Sequence, residues 1–289
     1  MALLVNPGYT GYAEIAGDKV RFTDASITAR QEINAQDLIM GHWDHNAYVF
    51  GPVTVDGSIS GPVTENFVGT AGSIWEWATK RSGDCGELAK QTVDLYYFCD
   101  AGVAYGIAGR KFEDLQVNSV NFSCSAGDIA QFSIDVMGAT PPSNISSTAA
   151  DHTLEEKLVT WDKVGVTIID GTGSTLPIDV KYSNFDFTIT NNLEVVYGIG
   201  QPDLYPFEIV PGLRGLTGSL SAYNVPETLG ADTWDDYAAG DYGTITFAIG
   251  TATFTFNVQF HRMEPASSVG PIISTIGFTG VGHQATLDV

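Results

Sequence analysis

Basic side chains are scarce in this 289-residue chain: 13 lysines and arginines stand against 34 aspartates and glutamates, a formal net charge of -21. Such a balance repels polyanions, which argues against recognition of nucleic acid through a basic groove. No acidic tail is responsible. Residues 1–142 hold 8 bases and 17 acids (8 − 17 = −9), and residues 143–289 hold 5 and 17 (5 − 17 = −12). Charge of either sign is also low, 16% against about 25% in ordinary soluble domains. Much of the surface is therefore expected to be uncharged and polar, or covered by partners. Cysteine is sparse as well. Cys85, Cys99 and Cys124 form an odd set without Cys-x-x-Cys spacing, and reduced thiols in a cytosol-made protein are the plain expectation. The opening "MALLVNPGYTGY" has no basic region and too short an apolar run for a secretion signal. Nothing approaches about 18 consecutive apolar residues, so no membrane span is expected.

Catalytic signatures are missing too. The chain has no Gly-x-Ser-x-Gly elbow, no His-Glu-x-x-His pair and no P-loop. His42-Trp43-Asp44-His45 offers two imidazoles and a carboxylate, but no further cysteine or histidine cluster completes a zinc set; solvated loop histidines are the simpler reading. Asp232-Thr233-Trp234-Asp235-Asp236 lacks the alternating oxygen spacing of a calcium loop. Asp232 as a helix N-cap, with acids in the first turn, accounts for it. Asp170-Gly171 reads as a hairpin turn and precedes no helix pattern, so a nucleotide loop fails. Trp75, Trp77, Trp234 and Tyr237 read as core or subunit contacts before a sugar platform. No enzymatic activity, cofactor or metal is expected.

What the chain has is β pattern. Hydrophobic residues make up 44%, and 32 glycines with 12 prolines punctuate short segments rich in Val, Ile, Thr, Phe and Tyr. Alternation in "FTFNVQFHR" and "AQFSIDV" fits antiparallel sheets with one buried face. The pattern also recurs. Val55-Asp56-Gly57-Ser58-Ile59-Ser60 matches Leu216-Thr217-Gly218-Ser219-Leu220-Ser221 at an offset of 161 (216 − 55). Asn118-Ser119-Val120-Asn121-Phe122-Ser123 lines up with Ser274-Thr275-Ile276-Gly277-Phe278-Thr279 at an offset of 156 (274 − 118). Each copy is followed or preceded by similar events: a strand before, a tryptophan-containing helical piece at 72–80 or 231–240, then further strands. One unit copied in tandem explains this, and chance likeness of common β patterns is the alternative. The expected division is 1–140, a linker at 141–152 rich in Pro, Ser and Thr, and 153–289.

The segment "DFTITNNLEVVYGIGQPDLYPFEIVPGLRGLTGSLSAY" (186–223) resembles the strand-loop-strand unit of tail tube (major tail) proteins of long-tailed bacteriophages. The likeness is most specific over about 186–289 and extends more weakly over about 20–137. It implies two tandem β-sandwich or barrel domains, each with a short flanking helix, whose copies join edge to edge into rings. Stacked rings would form the virion's hollow tail, assembled in the host cytoplasm, through which genomic DNA passes without specific binding. The implied partners are further copies of the chain and the tape measure, tail terminator and baseplate or tip proteins, with a sheath in contractile tails. Most of the family supply one unit per chain and six chains per ring. A chain with two units implies three. The competing expectation is a β-sandwich carbohydrate-binding, baseplate or decoration module of the virion. On the tube reading, the loops at 42–52 and 197–212 meet the next ring or subunit, because Trp43, Tyr48, Tyr197, Tyr205 and Phe207 would be costly to leave exposed as a patch.

Overall fold

Runs in which apolar residues alternate with Thr, Ser and Asn fold as strands because one face can be buried while the other stays wet. The structure, a computed structural model, describes residues 12–15, 18–36, 47–65, 74–82, 87–96, 109–145, 157–169, 181–200, 204–223, 242–250, 252–261, 264–265 and 273–282. The first half begins with β1 (Tyr12–Ile15), β2 (Asp18–Val20), β3 (Asp24–Ala25), β4 (Thr28–Gln36) and β5 (Ala47–Pro62). One short helix follows, α1 (Ile74–Thr79), then β6 (Arg81–Ser82), β7 (Glu87–Leu88) and β8 (Gln91–Tyr96). The half closes with β9 (Gly109–Ser125), β10 (Gln131–Gly138) and β11 (Ser143–Ile145). β11 lies inside the stretch expected as linker and pairs with β9. The second half holds β12 (Val164–Ile169), β13 (Lys181–Thr190), β14 (Leu193–Val196), β15 (Glu208–Pro211) and β16 (Gly215–Tyr223). It ends with β17 (Tyr242–Ile249), β18 (Ala252–Phe260), β19 (Glu264–Pro265) and β20 (Ile273–Gly280). The fold is mainly β. The helix expected at 231–240, His42 to His45 and the Asp170-Gly171 turn lie outside the described residues.

Sixteen of the described strands hydrogen-bond into one antiparallel sheet. Within it, the first half reads β4-β5-β10-β9-β8-β1 from side to side. The second reads β13-β16-β20-β18-β17-β12. In both halves the chain enters at the last of these positions, jumps to the first and second, and returns through the fifth, fourth and third. Registers agree as well. Ile59 of β5 faces Ile134 of β10, and Leu220 of β16 faces Ile276 of β20.

The twice-used hexapeptide now has a physical reason. A Cβ on Gly57 would stand 2.6 Å from the Ser26 carbonyl oxygen, and one on Gly218 would stand 2.5 Å from that of Asp186. Any side chain there would push the hairpin partner away. The next residue ties the partner by its hydroxyl, Ser58 to Ser26 at 3.1 Å and Ser219 to the Asp186 carboxylate. Ile59 and Leu220 then enter the core, fully buried.

The other sequence match does not hold as a position. Residues 118–123 lie in β9, fourth in its half, whereas 274–279 lie in β20, third in its half. In the sheet, Ile276 corresponds to Ile134 at an offset of 142 (276 − 134), through Ser133-Ile134-Asp135-Val136-Met137-Gly138 and Thr275-Ile276-Gly277-Phe278-Thr279-Gly280. Neighbouring half-buried strands share one alternation, so pattern alone cannot tell adjacent positions apart.

The two halves share one core. Five of the six residues of α1 are buried. Its Trp75 ring lies 4.2 Å from Phe254 of β18, 5.9 Å from Phe122 of β9 and 6.4 Å from Phe187 of β13, measured between ring centroids. Trp77 is buried beside it and donates its indole N–H to the Leu115 carbonyl at 3.1 Å, which removes the penalty for burying that dipole. Both helix tryptophans are therefore core residues.

Between the halves runs a seam of main-chain pairing. β13 adds to the outer edge of β9 from Asn184 opposite Ser125 to Thr190 opposite Ser119. Just past it, Asn191 is fully buried and its Nδ2 donates to the carbonyls of Ala78 at 2.8 Å and Val117 at 2.9 Å. Arg214 donates to the Thr79 carbonyl and to Asn191 Oδ1. The last carbonyls of a helix have no partner inside it, so second-half side chains complete the C-terminus of the first half's helix. Asn191→Ala leaves two buried carbonyls without donors, at a cost of about 1–3 kcal/mol. Urea unfolding is expected to show that loss as a lower midpoint at unchanged slope. Glu194→Gln, on an exposed position of β14, is expected to change stability by less than about 0.5 kcal/mol.

Candidate assembly surface

β14 and β15 form a two-stranded hairpin in which Leu193 faces Pro211 and Val195 faces Ile209. Period-two alternation gives it two unlike faces. Leu193 and Ile209 turn inward onto Leu88 of β7, with Met137 and Ala139 packed against them. Val196 and Val210 turn outward and are exposed. The hairpin thus belongs to the second half by sequence and is docked on the first half. Its far end is fastened by the Leu204 carbonyl, which accepts the Val53 N–H of β5 at 2.8 Å.

The connection between these strands carries the exposed apolar surface expected from the sequence, in part. Tyr197 and Phe207 are exposed, Phe207 at 65%, and the Phe207 N–H reaches the Val196 carbonyl at 2.8 Å. Desolvation and then the Glu32 charge push the Tyr197 hydroxyl above its ordinary pKa. Tyr205 differs: it is half-buried and packs on the main core, so it holds the loop down. Tyr48 lies in β5 opposite Ala35; its side chain, and all of Trp43, lie outside the described residues. Sequence reading missed Ile199 and Leu204, exposed on the same connection. It also missed Ile33 of β4 and Phe50 of β5, which face each other across the first hairpin at 61% and 59% exposure. The available signal was an aliphatic or aromatic residue in register across a hairpin, visible only once pairing is known.

Among the described residues no group of three His, Cys, Asp or Glu side chains stands close enough to hold a metal. The Cys124 thiol is pushed up, first by burial and then by Asp128, a shift that disfavours the thiolate. Burial pushes Tyr182 up to about 12. Asp94 is raised by desolvation, against the pull of Lys111 opposite it. Several bases are already engaged: Lys80 with Glu76, Lys111 with Glu113, Lys163 with Glu65, and Arg81 with the Gly212 carbonyl at 3.0 Å. With 34 acids against 13 bases in the chain, the described surface combines an acidic excess with exposed apolar side chains.

No curated protein matches the chain in a sequence search. A family model described as phage tail tube protein matches residues 6–287. That span takes in both halves and the seam between them, and the chain belongs to the phage tail tube protein family.

Proposed function

We propose that copies of this chain join side by side into three-membered rings that stack into the tail tube, the conduit for DNA on ejection. The observation that carries this reading is the strand order used twice, β4-β5-β10-β9-β8-β1 and β13-β16-β20-β18-β17-β12. Two units in one chain make every second contact around a ring intramolecular, at an effective concentration on the order of millimolar for a short connection. Three chains then supply six units. The charge balance supports the conduit: with net charge -21 and many bases already paired, the wall offers phosphates little to hold, and at about 0.15 M salt wall charge acts over about 8 Å. Tape measure, terminator and tip proteins are the further partners this reading implies, with a sheath if the tail contracts. The tail of the virion is where the chain functions.

Mass per length of tubes formed by the concentrated protein is expected to equal three chains per ring. Six full chains per ring would refute two working units per chain. The exposed apolar side chains of the 197–207 connection, Tyr197, Ile199, Leu204 and Phe207, serve contact with the next ring on this reading. Replacing residues 198–203 with Gly-Ser is expected to leave thermal stability unchanged and abolish stacking. Normal tubes from that variant would show that the connection is dispensable.

A further inference from the structure

An open edge in the first half has a closed counterpart in the second. β13 is paired on both sides, by β16 and by β9. β4 holds the equivalent place in the first half yet pairs only with β5 among the described residues. Among the described residues its main-chain groups on the other side have no strand partner, and such an edge templates strand addition. The same contrast holds for side chains. Leu193 is 9% exposed, covered by the first half, while Ile33, at the matching position (193 − 160), is 61% exposed. Tyr48 stands at the register position of Ile209 (209 − 161), and Phe50 at that of Pro211 (211 − 161).

We infer that the open edge of β4 and the Ile33–Phe50 pair seat the β19–β20 end of a second copy of this chain, in the register by which β9 and β10 seat β13 and its hairpin. The inference rests on the tube reading and names the contact between chains. Within one chain, Ser133, Asn121 and Thr188 form a row across β10, β9 and β13. In the second half, Thr275 of β20 faces Glu264 of β19 as Ser133 faces Asn121. The position matching Thr188 is Thr28 (188 − 160), the first residue of β4. So Thr28 of one copy comes opposite Glu264 of the next. Met137 and Ala139, which help cover Leu193, match Thr279 and Val281 (137 + 142 and 139 + 142), and these cover Ile33 across the new seam. The contact is head to tail, so it repeats from copy to copy, and a rotation of one third of a turn per chain closes it into the three-membered ring of the tube reading.

Paired strands bring opposite Cα atoms to about 4.5–5.5 Å, within disulfide reach. Thr28→Cys combined with Glu264→Cys, oxidised after assembly, is expected to give reducible species of two and three chains on a gel. Asn121→Cys with Thr188→Cys, the in-chain row, is expected to link within one chain. Neither Thr28→Cys nor Glu264→Cys alone should link, and a link from either alone, or a Thr28–Glu264 link inside one chain, would overturn the inference. A second variant reads the side chains. Ile33→Asp is expected to keep the monomer's melting temperature and lose rings, whereas Leu193→Asp is expected to lower the melting temperature. Tubes that form from Ile33→Asp, or native tubes whose double-cysteine variant assembles without linking, overturn this contact and leave the tube reading standing. If the unaltered protein forms no rings or tubes at all, the tube reading itself fails and takes this inference with it.

Discussion

A strand edge is a row of amides and carbonyls that must be paired, solvated or covered, and in this chain the edge of β9 is paired by β13. Most features that join the two halves depend on that ladder. It brings Phe187 beside Phe122, with ring centroids 5.4 Å apart, and so merges two apolar faces into one core. It also delivers Asn191 to the end of α1, where its amide meets carbonyls that the helix cannot satisfy. Finally it swings β14 and β15 onto Leu88. One backbone pairing thus decides where a helix ends, which aromatics stack and which hairpin is covered.

Strand content was legible in the sequence because alternation is local. β18, read from "ATFTFNVQF", buries Phe254, Phe256, Val258 and Phe260 and leaves the residues between them less covered. The hexapeptide was legible because its glycine answers a steric demand made by close neighbours, the Ser26–Ile27 backbone at Gly57 and both Phe278 and the Asp186 carbonyl at Gly218. The shared core was not. Trp75 was readable as buried, but its contact with Phe254 joins residues 179 apart (254 − 75), and no local pattern encodes such a partner. Closing strands were misaligned for a related reason: Val120 and Ile276 both sit in inward-facing positions, and inwardness does not reveal a place in the sheet.

The candidate surface was legible by half. Tyr197 and Phe207 are conspicuous aromatics in a Gly- and Pro-containing connection, so exposure there follows from loop chemistry. Ile33 lies among Arg30, Gln31, Glu32 and Asn34, where a lone aliphatic residue looks incidental. Only comparison with Leu193 gives it meaning, because the same position is covered in one half and bare in the other. Asn191 and Arg214 were likewise silent, since polar residues in turns are common and only burial turns them into clamps. The doubled strand order accounts for this division: matching elements meet unlike neighbours, so Leu193 is covered within the chain while Ile33 stays exposed.

Backbone amide hydrogen exchange, compared between isolated chains and assembled tubes, tests that account most directly. Amides in the β9–β13 ladder are expected to exchange slowly in both states. Alternate amides across Thr28–Gln31 of β4, open in the isolated chain, are expected to become slow on assembly. Exchange at β4 as fast in tubes as in the isolated chain would contradict the claim that the seam inside one chain is repeated between chains.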